Sequence, residues 1–169
     1  MKNIILCGFM GSGKTALGKL LAERMNMQFY DTDELISDKT GMPISKIFEK
    51  YGEAYFRSLE TEVIKELINT SGAVISLGGG LAANSINHPY LKEAGVVVLL
   101  DCGIDETLQR ISGDKARPLA AGGAEDIINR YNMRKPIYES VADITVDSSR
   151  TSEETYKILI AALEDLKRI

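Results

Sequence analysis

Little in this 169-residue chain invites disulfide, metal or histidine-based chemistry. It has two cysteines and one histidine. Cys7 and Cys102 lie in or beside apolar strand candidates, so both read as reduced thiols packed in a core. No cysteine or histidine spacing suits zinc. His88 reads as a surface or capping residue, and no Ser-His-Asp or Cys-His arrangement accompanies it. Long hydrophobic runs are missing too. The longest, around Val96 to Leu100, falls far short of the roughly 20 residues that cross a bilayer. Positive charge is not in excess: the net charge of −4 argues against a general nucleic-acid binder. The first strand candidate begins by residue 3, which leaves no room for a signal peptide. Repeats and low-complexity segments are absent. What remains, 44% hydrophobic and 26% charged, suits one ordinary cytoplasmic domain with a full core.

The most informative stretch that is present runs from Gly8 to Thr15, G-F-M-G-S-G-K-T. It matches G-x-x-x-x-G-K-T, and each fixed position has a physical task. Glycines let backbone N–H groups turn inward around phosphate oxygens. Lys14 brings a positive charge to the β- and γ-phosphates, and Thr15 brings a hydroxyl to Mg²⁺. The flanks agree. Asn3 to Cys7 is an apolar run suited to a buried parallel strand. Thr15 to Met25 has helical periodicity, with Leu17, Leu20, Leu21 and Met25 on one face. Strand, glycine loop and helix N-terminus together make an anion site. A rival motif overlaps it: Gly11-Ser-Gly13-Lys-Thr-Ala16 matches G-x-G-x-x-A, and Asp33 lies 20 residues beyond Gly13. That dinucleotide reading leaves Gly8, Lys14 and Thr15 unexplained.

Strand and helix candidates alternate along the chain. The strands are Ile4–Cys7, Gln28–Tyr30, Ala73–Leu77, Val96–Leu100 and Ile144–Val146. The helices are Lys14–Met25, Glu34–Thr40, Ile44–Tyr51, Ala54–Asn69, Asp105–Ser112, Ala124–Ser140 and Ser152–Lys167, with a shorter one near His88–Glu93. This alternation predicts a parallel sheet covered on both faces, with ligands at its C-terminal strand ends. Gly113 to Gly123, with three glycines and a proline, reads as a loop whose composition suits a lid, and Arg117 gives it a charge for phosphate.

Phosphoryl transfer needs charge neutralisation, a metal and a positioned nucleophile. Asp31 and Asp33 follow the second strand, where one carboxylate suits a water-held Mg²⁺ and the other a substrate hydroxyl. A plain helix cap is the alternative. Leu77-Gly-Gly-Gly80 lets a ligand approach the backbone after the third strand. Val96 to Asp101 has the shape of a Walker-B strand, so Asp101 competes for the metal role, although it can also cap the following helix. Arg57, Arg110, Arg134 and Arg150 suit carboxylates and phosphates as planar forks. Spacing alone does not bring them together.

These stretches, in order, resemble the shikimate kinase family over nearly the whole chain. The resemblance rests on Gly8–Thr15 followed by Gly18–Ala22, and on F-Y-D-T-D at Phe29–Asp33. It continues through G-E-A-Y-F-R-S-L-E at Gly52–Glu60, L-G-G-G at Leu77–Gly80, R-P-L at Arg117–Leu119 and R-K-P-I-Y-E-S-V-A-D at Arg134–Asp143. It implies one α/β kinase domain over residues 1–169, a three-layer sandwich of the nucleoside-monophosphate-kinase type. A five-stranded parallel sheet would run in the order 2-3-1-4-5, with an acid-binding segment at about 32–60 and a mobile lid at about 112–124. The implied reaction is ATP-dependent phosphorylation of the 3-hydroxyl of shikimate, with Mg²⁺, in a cytoplasmic monomer that engages neither nucleic acid nor membrane.

Residue by residue, the resemblance assigns Lys14, Asp33 and Arg117 to catalysis. Gly11, Ser12, Gly13, Lys14, Thr15, Ala16, Arg110, Arg117 and Arg150 go to ATP. Asp33, Arg57, Gly79, Gly80 and Arg134 go to shikimate, and Thr15 with Asp31, through water, to the metal. The adenine loop Ser149-Arg-Thr-Ser152 lacks the proline common in relatives. Rival readings are a kinase of another hydroxy acid such as gluconate, a nucleotide-binding module without transfer activity, and the dinucleotide binder.

Overall fold

A computed structural model describes residues 2–113 and 123–167. The lid segment, with Arg117, falls almost entirely outside the described residues. Five short strands carry the alternation read from the sequence: β1 (Asn3–Cys7), β2 (Gln28–Asp31), β3 (Ala73–Ser76), β4 (Gly95–Asp101) and β5 (Ile144–Asp147). All pair in parallel, in the order β2-β3-β1-β4-β5.

Among the described residues seven α-helices connect or follow them: α1 (Lys14–Met25), α2 (Thr32–Thr40), α3 (Ile44–Leu67), α4 (His88–Ala94), α5 (Gly103–Gly113), α6 (Gly123–Val141) and α7 (Ser152–Lys167). The two helices expected at residues 44–51 and 54–69 are both present, as the two halves of α3 on either side of a kink at Gly52, where φ is 79° and ψ 174°. Helix α2 starts at Thr32 rather than Glu34, because the Asp31 side chain accepts from Asp33 N and caps it.

The period-two alternation of the strands divides the core into two layers. Ile4, Leu6, Val74, Val98, Leu100 and Val146 face α1 and α7, meeting Leu17, Leu21, Leu159 and Leu163. Ile5, Cys7, Ile75, Val97 and Leu99 face the opposite layer, against Val63 and Ile64 of α3, Leu91 of α4 and Tyr138 of α6. The three central strands are therefore buried on both sides, as a parallel sheet under two helix layers requires.

At the N-terminal edge of the sheet, the buried Asn3 side chain donates to Ala94 O (2.9 Å) and Thr70 O (3.0 Å) and accepts from Ala73 N (3.0 Å). One amide thus ties three chain segments together there. The C-terminal edge carries the glycine loops. Connections leave β1 toward β2 on one side and β4 continues on the other, so the phosphate loop sits where the winding reverses.

Candidate active site

The phosphate loop is shaped by one close approach. Gly8 has φ 144°, and a Cβ there would run into the carbonyl oxygen of Leu100 at the end of β4. Only glycine fits between the two strands while turning the chain into the loop. Lys14, the first residue of α1, folds back over the loop. Its Nζ donates to Gly8 O and Phe9 O, both at 2.9 Å. Thr15 Oγ1 donates to Asp31 Oδ2 at 3.1 Å. The Asp31 carboxylate therefore caps α2 with one oxygen and meets Thr15 with the other. The cap and the functional position are the same residue.

A hydroxyl beside one carboxylate, open to a cleft, fits Mg²⁺, which keeps several waters and uses few protein ligands alongside phosphates. No group of three or more His, Cys, Asp or Glu suited to a metal occurs among the described residues. Asp101 is otherwise engaged. It pairs with Lys135 Nζ at 2.7 Å and accepts from Tyr131 Oη (2.7 Å) and Gly103 N (3.0 Å). Burial would raise its pKa, but these partners outweigh it and hold the carboxyl below its ordinary value. Burial and the Asp101 charge push Tyr131 up to about 12. Asp101 thus anchors α6 and starts α5.

Beside the phosphate loop lies a cleft of about 740 Å³. Lys14, Thr15, Asp31 and Asp33 line one part of it, and Arg57, Gly79, Gly80 and Arg134 another. Asp33 approaches Gly78 so closely that a Cβ on Gly78 would overlap Oδ1. Gly78 N donates to the buried Thr32 Oγ1 at 2.8 Å, tying the glycine run to the start of α2. Gly80 has the same relation to the Arg57 guanidinium. Tyr138 Oη (2.6 Å) and Arg134 Nη1 (3.2 Å), both on α6, donate to Gly79 O.

A second cleft, of about 310 Å³, opens on the other side of the loop and is lined by Ser12, Arg110, Ser148 and Arg150. Arg110 spans it: Nη1 reaches Gly11 O (3.0 Å), Nη2 reaches Ser148 O (2.8 Å), and Nε is held by Glu106 (2.7 Å). Gly11, Gly13 and Ala16 border both clefts. The structure therefore brings together every expected site residue that it describes, in two adjoining cavities.

Sequence reasoning passed over Glu60. It is fully buried, one oxygen pairs with Arg57 Nη1 at 2.8 Å, and the other has no hydrogen-bond partner among the described residues. Burial pushes its pKa up to about 6 against the pull of Arg57. The signal was there to find. Phe56, Glu60, Val63, Ile64 and Leu67 make one helical stripe, and Glu60 is its only charged member.

Sheet order, phosphate loop and paired clefts define a phosphate-loop kinase of the three-layer α/β type. The family model for shikimate kinase matches residues 10–164. A shikimate kinase of Sulfurihydrogenibium sp. is 44% identical over 168 residues, covering 99% of either chain. The structure of shikimate kinase from Acinetobacter baumannii in complex with shikimate aligns with a TM-score of 0.89 at 37% identity, over 98% of this chain and 94% of that one. The chain belongs to the shikimate kinase family. A gluconokinase from Sinorhizobium meliloti, 17% identical with a TM-score of 0.67 over 98% of this chain and 93% of that one, shares the fold alone.

Proposed function

We propose that this chain transfers the γ-phosphoryl group of ATP to the 3-hydroxyl of shikimate, with the acid in the larger cleft and the nucleotide base in the smaller. ATP-dependent phosphorylation of shikimate, a step of the shikimate pathway, is the activity of the family. One observation carries the assignment of sites: Lys14 and Asp33 line the same cleft as Arg57 and Arg134.

In this reading the loop amides and Lys14 hold the phosphates, and Arg110 and Arg150 flank the base. The two arginines take the acid's carboxylate, with the Gly79–Gly80 backbone beneath it. Asp33 accepts the hydrogen bond of the attacking hydroxyl and orients it in line with the γ-phosphorus. Phosphoryl transfer is served mainly by such positioning and by charge stabilisation. Arg117, outside the described residues, is assigned to the developing charge on the transferring group. Thr15 and, through water, Asp31 would hold Mg²⁺, which would supply charge neutralisation on the phosphates.

The chain is read as one kinase domain over residues 1–169, with an acid-binding segment at about 32–60 and a lid at about 112–124. It is read as a cytoplasmic monomer that binds neither nucleic acid nor membrane. No described helix is long and apolar enough to cross a membrane. Cys7 and Cys102 are free and buried, and burial pushes the Cys7 thiol up to about 12, which leaves it unreactive.

The test is ADP release from ATP and Mg²⁺ with and without shikimate, with the product weighed by mass spectrometry. Shikimate-dependent release with one added phosphate is expected. Equal or faster turnover of gluconate would overturn the substrate assignment.

A further inference from the structure

The Arg57 guanidinium, read above as a grip for the acid's carboxylate, already holds two carboxylates of its own helix. Nη1 pairs with Glu60 at 2.8 Å and lies against Gly80. The opposite edge, Nε and Nη2, is taken by one oxygen of Glu53, at 3.2 and 2.9 Å. That edge is the planar fork that suits a carboxylate best. The two glutamates differ sharply in exposure: the Glu60 side chain is 1% exposed and the Glu53 side chain 67%. Glu60 is fixed in the core. Glu53 is held only by a surface pair one helical turn away.

Charge decides what happens when an anionic substrate enters. Asp33 and Glu60 already lie around Arg57 and Arg134, and Asp33 and Arg134 both act electrostatically on Glu60. A third carboxylate beside Glu53 and Glu60 on one guanidinium would repel both. The replaceable neighbour is the exposed one.

We infer that Glu53 is an internal stand-in for the substrate carboxylate, occupying the Arg57 fork until the acid displaces it. It then acts as a specificity determinant. A ligand with a carboxylate restores what Arg57 loses, whereas a neutral ligand that dislodges Glu53 leaves the fork unpaired. The inference rests on the acid-binding reading of the larger cleft.

The experiment compares Glu53→Gln with the unaltered protein by calorimetric titration with shikimate and by steady-state kinetics. Exposed ion pairs on a helix are weak, so the expected gain is modest. Shikimate should bind about two- to fivefold more tightly to the variant, with kcat and the KM for ATP unchanged. The methyl ester of shikimate cannot replace the charge of Glu53 on the fork, so it leaves Glu53 in place and should gain nothing. Unchanged or weaker shikimate binding by the variant would make Glu53 a bystander or a support for Arg57 and would overturn the inference. An equal gain for the ester would overturn it as well. Absence of shikimate binding by the unaltered protein would instead remove the acid-kinase reading, and this inference with it.

Discussion

Gly78 and Asp33 form a pair in which the smaller residue fixes the place of the larger. The carboxylate lies where a Cβ on Gly78 would stand. A methyl group there must push Asp33 out of line with the substrate hydroxyl. Gly78→Ala should therefore lower kcat by tenfold or more while ATP affinity stays within about twofold, since a misplacement of about 1 Å is worth that much. Turnover within a factor of two of the original would show that Asp33 needs no such placement. Glu60 offers a test that depends on pH. Its folded pKa, about 6, lies above the ordinary 4.5, so the folded state holds its proton more tightly than the unfolded chain does. Its contribution to stability is greatest below pH 4.5 and is lost as pH rises through 6. Relative to Glu60→Gln, the unaltered protein should lose about 1–2 kcal/mol of stability between pH 4.5 and 7, read by urea unfolding at both ends. A pH-independent difference would mean that Glu60 titrates normally. Of the two, only Glu60 was legible in the sequence, as the one charge in an apolar helical stripe. Gly78 was seen as one of three permissive glycines, but the close approach of Asp33 depends on the β2–β3 pairing, which brings the ends of two strands together.

Helix α6 ties the end of β4 to the glycine run beyond β3. Lys135 and Tyr131 bind it to Asp101 at the end of β4, while Arg134 and Tyr138 reach across to Gly79 beyond β3. One helix thus sets the distance between its own arginine and the glycine run. Tyr138→Phe removes the 2.6 Å bond but leaves Gly79 O with Arg134, so the stability cost should be small, about 0.5–1.5 kcal/mol. The functional effect should fall on the acid: a KM for shikimate raised several-fold, with kcat little changed. An effect confined to kcat would mean that Tyr138 serves the chemistry directly. At this scale the sequence was informative. All five strands and the sense of alternation were readable, because an apolar run between glycine-rich turns has few other uses in a chain of this composition. The separation of the two helices on either side of Gly52 was readable as well. The engagement of Asp101 was not readable. A Walker-B-like strand end and an anchoring ion pair look alike until α6 is seen to return to β4.

Across the whole molecule the two edges of the sheet serve different ends. The C-terminal edge carries loops whose glycines and arginines are arranged for ligands. The N-terminal edge is closed by Asn3, whose single amide meets two segments far from it in sequence, at Thr70–Ala73 and at Ala94. Asn3→Ala would leave Ala73 N–H and the Ala94 carbonyl without their partner in a buried place. The expected cost is about 2–4 kcal/mol in urea unfolding, with kcat and both KM values unchanged at a temperature where the variant is folded. Altered kinetics in a fully folded variant would mean that the two edges communicate. The convergence of Arg57 and Arg134 belongs to this scale too. The sequence offered both as isolated charges, and only the resemblance to known kinases suggested a common target. Helices α3 and α6 meet at the glycine run, which places the two side chains in one cleft, a fact of topology that spacing cannot encode.

The wall between the two clefts is a single turn of backbone, bordered on both sides by Gly11, Gly13 and Ala16. A guest on one side touches residues that also border the other cleft, so any help between the two sites has a shared wall to pass through. Any such help is a debt owed equally both ways: the factor by which nucleotide tightens the grip on the acid is the factor by which the acid tightens the grip on nucleotide. Whichever guest comes first, the same pair of rooms is furnished at the end.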